Sequence, residues 1–264
     1  MSDETLVERK DGLVTITFNR PHRKNAINAT NWTDLEDILT ELEIDPTVRA
    51  VVFTGAEGNF SAGADLAGDG ANAGLTGRGV QPIVHEMRIV GRILSRIKNL
   101  PKPTIAAVDG VCVGVGLGIA LACDLVVATD RARFIEIFVK RGLALDGGTS
   151  WTLPNTIGLR RAKQMAYFGE AVDAATAQEW GLINEVVAPD ELAAFVDDWG
   201  TRLAKGPTTA LSLIKTMLDA GATSSFEAAV EAEATGQHIV FTTTDMREGF
   251  KSFLERRDPE FTGT

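Results

Sequence analysis

The chain alternates between segments typical of strands and segments typical of helices, and this order is the feature that most constrains its fold. Leu13 to Phe18 alternates apolar and polar residues, as a half-buried strand does. Apolar residues between Asn28 and Glu43 recur at helical spacing, and Val48 to Thr54 is typical of a buried strand. A strand, a helix and a strand in this order indicate a sheet with helical crossovers. We therefore assign the chain to the α/β class.

The same alternation continues to about residue 200. After a Gly- and Ala-rich segment typical of a mobile loop, Asp65 to Gly79, three further strands, a last strand candidate and their helices are predicted. Beyond Asp190 only helical patterns remain. We expect a core over residues 1–200 and a C-terminal helical region over residues 201–264 that is too small to fold independently. The predicted elements after the loop are a helix Pro82–Ile97, strands Thr104–Val108 and Leu125–Thr129, a buried helix Val113–Ala122, a strand-helix repeat over Arg133–Leu145 and Leu153–Phe168, a strand in Gly181–Val187, and helices Ala193–Ala204, Thr208–Asp219, Ser225–Val240 and Asp245–Arg257.

Charge and composition exclude several classes of function. With 26 Lys and Arg against 36 Asp and Glu, the net charge is -10, which argues against a general binder of nucleic acid or anionic membranes. The two cysteines, Cys112 and Cys123, lie in an apolar segment and are expected to be buried thiols. The chain shows no zinc-ligand spacing, no signal peptide and no apolar segment long enough to span a bilayer. We therefore expect a cytosolic protein without a metal.

Two familiar glycine and serine motifs are incomplete. Gly114, Gly116 and Gly118 resemble a dinucleotide-binding turn, but the third glycine is one residue early and the first strand is far away. The segment around Ser61 is not a nucleophile elbow, because the glycine required two residues earlier is Asn59.

Two segments together resemble the crotonase (enoyl-CoA hydratase/isomerase) superfamily. The first runs from Gly55 to Leu66, and the second from Ala107 to Gly118, ending at Cys123-Asp124; Asn19-Arg20-Pro21 precedes both. The resemblance covers nearly the whole chain. It implies a spiral of ββα repeats with a C-terminal helical trimerisation region, a homotrimer or a dimer of trimers, and an acyl-CoA thioester substrate. Coenzyme A enters as part of the substrate, and no other cofactor is implied.

The resemblance also assigns an oxyanion hole and a substrate site. A thioester carbonyl that gains negative charge needs two preorganised donors, which backbone N–H groups at a tight turn or helix N-terminus supply. The resemblance assigns these donors to Ala62 and Val115. The candidates for binding coenzyme A or the acyl group are Arg23, Lys24, Ala26, Ala64, Asp65, Leu66, Phe138, Phe253 and Arg256.

The acid and base groups point to isomerisation. The two glutamates of hydratases fall on Gly118 and Phe138, and neither can move a proton. The segment from Gly142 to Pro154 resembles a branch of isomerases in which one aspartate shuttles a proton between two carbons, here Asp146. An apolar pocket raises the pKa of such a carboxyl toward the working range.

Four alternatives remain open from the sequence. Asp146 could instead cap a helix. The enzyme could hydrate enoyl-CoA with Asp146 or Glu136. It could resemble the chlorobenzoyl-CoA dehalogenases, in which an aspartate at the Asp146 position is the nucleophile beside a histidine, for which His85 is the candidate. Lastly, it could be a non-catalytic scaffold that binds coenzyme A.

Overall fold

Strands and helices alternate along the chain in the computed structural model, which describes residues 2–66 and 82–264. We number the elements of these residues in chain order. The strands are β1 Thr5–Lys10, β2 Leu13–Phe18, β3 Ala50–Gly55, β4 Thr104–Val108, β5 Val111–Val113, β6 Leu125–Thr129, β7 Arg133–Ile135, β8 Ala171–Asp173 and β9 Glu185–Val187. The helices are α1 Ala29–Ile44, α2 Ile83–Lys98, α3 Val115–Ala122, α4 Thr149–Phe168, α5 Ala174–Trp180, α6 Leu192–Ala204, α7 Thr208–Gly221, α8 Phe226–Val240 and α9 Thr244–Glu255.

The strands form two sheets that the chain visits in turn. The larger sheet has the order β1-β2-β3-β4-β6-β9, in which β1 is antiparallel to β2 and the other neighbours are parallel. The smaller sheet has the order β5-β7-β8. The chain passes from β4 in the large sheet to β5 in the small sheet and into α3, then from β6 to β7. This repetition is the predicted ββα arrangement, and it brings successive turns of the chain side by side.

The first helix is fixed at both ends by polar side chains. Asn28 and Asn31 form a reciprocal capping box at the N-terminus of α1. At the C-terminus, the buried ammonium of Lys102 donates to the carbonyl oxygens of Leu42 and Asp45, the latter at 3.0 Å. Burial lowers the pKa of Lys102, while nearby acidic residues oppose that shift. These contacts satisfy helix-end groups that would otherwise be buried without partners.

The core lies on both faces of the large sheet. One face packs against α1, α2 and α3, and this cluster includes the fully buried Phe18, Phe53, Phe60 and Phe134. The other face is covered by α6, whose Leu192 and Val196 pack with β3, β4 and β6. Parallel strands buried on both faces explain why β4 and β6 are almost entirely apolar.

Arg49 joins the core to the C-terminal helical region. It lies directly before β3 and is half-buried. Its guanidinium donates to the carbonyl oxygens of Gly206 (2.5 Å) and Phe261 (3.0 Å) and to the hydroxyl of Thr208 (3.0 Å). Both ends of the helical region are therefore held by one residue of the core.

Most predicted elements are confirmed, with specific exceptions. The buried helix begins at Val115 rather than Val113, because Gly114 adopts a left-handed backbone (φ 52°). Helix α4 begins at Thr149, before the predicted Leu153, and bends at Gly158 (φ 76°). The short elements β1, β5, β8 and α5 were not predicted. The predicted loop Asp65–Gly79 lies mostly outside the described residues. Among the described helices, none is long and apolar enough to cross a membrane.

Candidate active site

Two glycine-containing segments meet at the N-terminus of α3. Ser61 pairs with Cys112 in a parallel β-bridge. A Cβ atom placed on Gly116 would lie 2.7 Å from the Cβ of Ser61, and one placed on Gly63 would lie 2.9 Å from the carbonyl oxygen of Val113. Only residues without a side chain allow this approach. The sequence therefore brings the segment Phe60 to Leu66 directly against the start of α3.

The backbone N–H groups of Val115 and Ala64 are candidate donors at this junction. Val115 is the first residue of α3, so its N–H has no acceptor within the helix. Ala64 forms a β-bridge with Ile27, but the bonds of that bridge come from Ile27 and Asp65, not from Ala64. Within residues 2–66 and 82–264, no acceptor is recorded for either N–H. The N–H groups of Gly116 and Leu117, in the same first turn of α3, also have no acceptor within the helix.

The assignment of an oxyanion donor to Ala62 is wrong. Its N–H donates to the carbonyl oxygen of Lys24 at 2.9 Å. Lys24 has a left-handed backbone (φ 49°), and its carbonyl oxygen faces the N–H of Ala62. An N–H already engaged in this way cannot also bind a substrate oxygen. On this segment the candidate donor is instead Ala64, two residues later, beside the predicted Val115.

The turn that carries Asp146 packs on the first turns of α3. A Cβ atom placed on Gly118 would lie 2.5 Å from the carbonyl oxygen of Gly147. A Cβ atom placed on Gly147 would lie 3.5 Å from the Cα of Val115. The residue after Asp146 therefore touches the helix turn that presents the Val115 N–H.

The Asp146 carboxyl is available for chemistry. Its Oδ1 atom is buried without a hydrogen-bond partner among the described residues. Burial raises the pKa of Asp146 to about 6 from its usual 3.8. The side chain is not a helix cap: the cap of α4 is Gly148, and Thr149 donates to the carbonyl oxygen of Asp146 instead. The alternative of a capping aspartate is therefore excluded.

Glu136 is a second carboxyl close to Asp146, and its burial is not evident from the sequence. Its exposed fraction is 0%. The hydroxyl of Thr149 donates to its Oε1 at 2.6 Å. Burial, together with the charge of Asp146, raises the pKa of Glu136 to about 7 although the Thr149 hydrogen bond opposes that shift. The available signal was the strand period, since Glu136 lies two residues after the buried Phe134.

Comparison with known proteins decides the family. The family model described as enoyl-CoA hydratase/isomerase matches residues 8–264. The chain belongs to the enoyl-CoA hydratase/isomerase family. It is 36% identical to 1,2-epoxyphenylacetyl-CoA isomerase of Escherichia coli over 100% of both chains, and 38% identical to a probable enoyl-CoA hydratase of Rhodobacter capsulatus over 97% of this chain and 96% of that one. A solved enoyl-CoA hydratase structure from Bacillus anthracis superposes with a TM-score of 0.92 at 28% identity, covering 99% of this chain and 100% of that one.

These findings confirm the crotonase fold and an enzyme of the enoyl-CoA hydratase/isomerase family, which acts on acyl-CoA thioesters. At the two positions where the resemblance places the hydratase glutamates, this member of the family has no acid. Gly118 is pressed against Gly147, as described above. Phe138 is 6% exposed and lies beside Gly114, where its ring would be 3.6 Å from an added Cβ atom.

The candidates near the N-terminus have mixed outcomes. Arg23 and Lys24 are exposed, as residues that bind a phosphate group must be. Ala26 is buried, and its carbonyl oxygen accepts a hydrogen bond from Arg20 at 2.6 Å. Asp65 is not free to bind substrate, because it forms a buried ion pair with Arg20 at 2.8 Å. Asp65 therefore has a structural role: its backbone N–H also donates to the carbonyl oxygen of Ile27 and holds this segment beside Ile27.

The remaining candidates are all exposed. Leu66 has an exposed side chain. Phe253 is 79% exposed near the end of α9, and Arg256, with a left-handed backbone, ends that helix. His85, named for the dehalogenase alternative, is exposed in the first turn of α2. The described residues contain no group of three His, Cys, Asp or Glu side chains that could hold a metal ion.

Proposed function

We propose that the chain is an acyl-CoA double-bond isomerase in which Asp146 moves one proton between two carbons of the acyl chain. The observation that carries the proposal is the half-buried Asp146 carboxyl: its Oδ1 atom is buried without a hydrogen-bond partner among the described residues, and its turn touches the helix turn of Val115. Gly118 and Phe138 stand where the resemblance places the two glutamates of hydratases, and this absence of acids also supports an isomerase.

The reaction can be written from these groups. The thioester oxygen of a 3-enoyl-CoA binds the N–H groups of Ala64 and Val115. The Asp146 carboxylate takes a proton from C2, and the electrons of that C–H bond form a dienolate whose oxygen charge the two donors stabilise. Protonated Asp146 then delivers the proton to C4. The product is a 2-enoyl-CoA, and no water, metal or redox group takes part in this balance.

Product analysis of the wild-type enzyme in deuterated water tests this function. We expect a 3-enoyl-CoA to be converted to a 2-enoyl-CoA without a hydrated product. Deuterium, followed by mass spectrometry, enters at C4, and at C2 by the reverse step, in those turnovers in which protonated Asp146 exchanges its proton with the solvent before delivering it. We would test 1,2-epoxyphenylacetyl-CoA, the substrate in the name of the E. coli relative, in the same assay. A 3-hydroxyacyl-CoA as the main product would instead identify a hydratase, and lack of turnover with retained binding of coenzyme A would identify a scaffold.

Hydration is the second candidate, since Glu136 supplies a second carboxyl beside Asp146. Two carboxyl groups could activate a water molecule and manage the α-proton. The complete burial of Glu136 argues against this role, because its oxygens would have to reach the substrate.

We also infer that the enzyme assembles as a trimer or a dimer of trimers through its C-terminal helical region. Large apolar side chains are exposed along these helices, including Leu218, Phe226, Phe241, Phe250, Phe253 and Leu254. Such a surface is typical of an interface rather than of a monomer. Light scattering is expected to give three or six times the 28.2 kDa chain mass. Leu254→Asp should shift the enzyme toward the monomer, whereas the exposed polar change Glu255→Gln should not; a monomeric wild type would contradict the inference.

A further inference from the structure

Glu136 is the least expected group in the site, because an acid without any exposed surface needs a reason to be there. One of its oxygens, Oε1, lies against the Thr149 hydroxyl, and the other, Oε2, is buried without a hydrogen-bond partner among the described residues. No lysine or arginine of the described segments pairs with it. An ionised carboxylate in this position would be expensive.

The Thr149 hydroxyl lies between two acceptors. Its oxygen is 2.6 Å from Oε1 of Glu136 and 2.9 Å from the carbonyl oxygen of Asp146. A hydroxyl has one proton to donate but can also accept. If Glu136 is ionised, the Thr149 hydroxyl can donate to only one of the two, and a hydroxyl turned to Glu136 leaves the Asp146 carbonyl with the Thr149 backbone N–H alone, at 3.2 Å. If Glu136 is protonated, it can donate to the Thr149 hydroxyl, which then donates to the carbonyl oxygen of Asp146, so that this carbonyl keeps both hydrogen bonds.

The ionisable neighbours also favour the neutral acid. Asp146 lies on the other side of Thr149, and its negative charge disfavours ionisation of Glu136. Cys112, on β5, lies on another side, and both its burial and the nearby Glu136 raise the pKa of its thiol. Neither neighbour supplies a positive charge. Burial, and then the charge of Asp146, raise the pKa of Glu136 to about 7 against the opposing hydrogen bond of Thr149.

We propose that Glu136 is a positioning residue that acts as a neutral carboxylic acid, holding the turn of Asp146 in place through the Thr149 hydroxyl. The proposal rests on the isomerase function, in which Asp146 is the reacting group. Around neutral pH, Glu136 ionises and takes the Thr149 hydroxyl as its donor. The Asp146 carbonyl then loses one of its two hydrogen bonds from Thr149, and a second negative charge forms beside Asp146. The activity should then fall on the alkaline side.

Glu136→Gln tests the role in catalysis, because an amide can still donate to Thr149 but cannot ionise. We expect its kcat at pH 6 to lie within about threefold of wild type, and its alkaline decline to be absent. Wild type should decline about tenfold between pH 7 and pH 9. Glu136→Leu, which removes the donor, should lose about tenfold in kcat at every pH with an unchanged KM. The exposed Glu179→Gln should match wild type throughout.

A measurement that needs no turnover separates this proposal from the proposed function. In protein labelled with ¹³C at the glutamate carboxyl carbon, we expect one signal to titrate near pH 7 and to be missing from Glu136→Gln. A Glu136 signal that titrates below pH 5 overturns the proposal, as does a tenfold loss of kcat in a folded Glu136→Gln variant at pH 6. If the wild type isomerises no substrate, the proposed function fails, while the titration still decides the state of Glu136.

Discussion

Replacing Asp146 with asparagine is expected to slow isomerisation of a 3-enoyl-CoA by about a thousandfold, since a positioned general base contributes roughly 10²–10⁴-fold. Asparagine keeps the shape of the side chain but cannot take a proton. The donors of Ala64 and Val115 belong to the backbone and are unchanged, so KM should stay within about threefold of wild type. Deuterium incorporation at C2 and C4 should fall in parallel with the rate.

The pH profile provides a second signature of the same group. Burial raises the pKa of Asp146 to about 6, so the wild-type rate should rise through this pH as the carboxylate forms. The residual rate of Asp146→Asn should lack this rise. An acidic limb that persists in the variant would assign the base elsewhere.

Stability should change in the opposite direction to activity. The pKa of Asp146 is higher in the folded chain than its usual 3.8, so the unfolded chain ionises first as the pH rises. The wild type therefore loses folding free energy between about pH 4 and pH 6, whereas Asp146→Asn does not. At pH 8 we expect the variant to be about 2 kcal/mol more stable by urea unfolding, since one pKa unit corresponds to about 1.4 kcal/mol and partial exposure reduces the effect. The exposed Asp130→Asn should change neither rate nor stability.

Gly118→Ala is expected to destabilise the enzyme by about 2 kcal/mol and to lower kcat by about a hundredfold. The added methyl group would lie 2.5 Å from the carbonyl oxygen of Gly147, so the turn with Asp146 must move away from α3. Gly91→Ala is the matched control, because it also lies in a helix and, among the described residues outside its own helical turns, no atom lies within 4 Å of its added methyl group. It should gain up to about 1 kcal/mol from helix propensity and keep full activity.

The same contact predicts the fate of a designed hydratase. Gly118→Glu restores the acid that the resemblance places at this position, but its side chain has no room while Gly147 stays where it is. We expect a poorly folded protein without hydration of 2-enoyl-CoA, measured by thermal unfolding and product analysis. A stable Gly118→Glu enzyme that hydrates its substrate would contradict the steric argument.

Long periodic elements could be predicted from the sequence because their own residues determine them. Helix α1 has both an apolar face and its Asn28 cap, and β2 has the alternation of a half-buried strand. Strand β1 escaped prediction because it is a mostly exposed edge strand in which Glu8 and Lys10 mask the pattern. Its place is determined by pairing with β2, which is a tertiary contact.

The sequence indicates which segments form the candidate site, but not which backbone N–H of a segment is free to bind the substrate. Asp146 and Val115 follow from the motifs, whereas Ala62 and Ala64 differ only in which way each N–H points. That direction depends on Lys24 and Ile27, which are distant in sequence. The burial of Glu136 escaped for another reason: acids are usually exposed, and its partner Thr149 comes from a different element.

Arg49 has a consequence for how the chain unfolds. Its three acceptors belong to the C-terminal helical region, while its backbone leads into the central sheet. If the helices detached, the half-buried guanidinium of Arg49 would lose these three acceptors. The remaining core would therefore be less stable than the core of the intact enzyme. Core and helices are thus thermodynamically coupled. We expect one cooperative transition in denaturant, without accumulation of an intermediate in which the sheet persists alone.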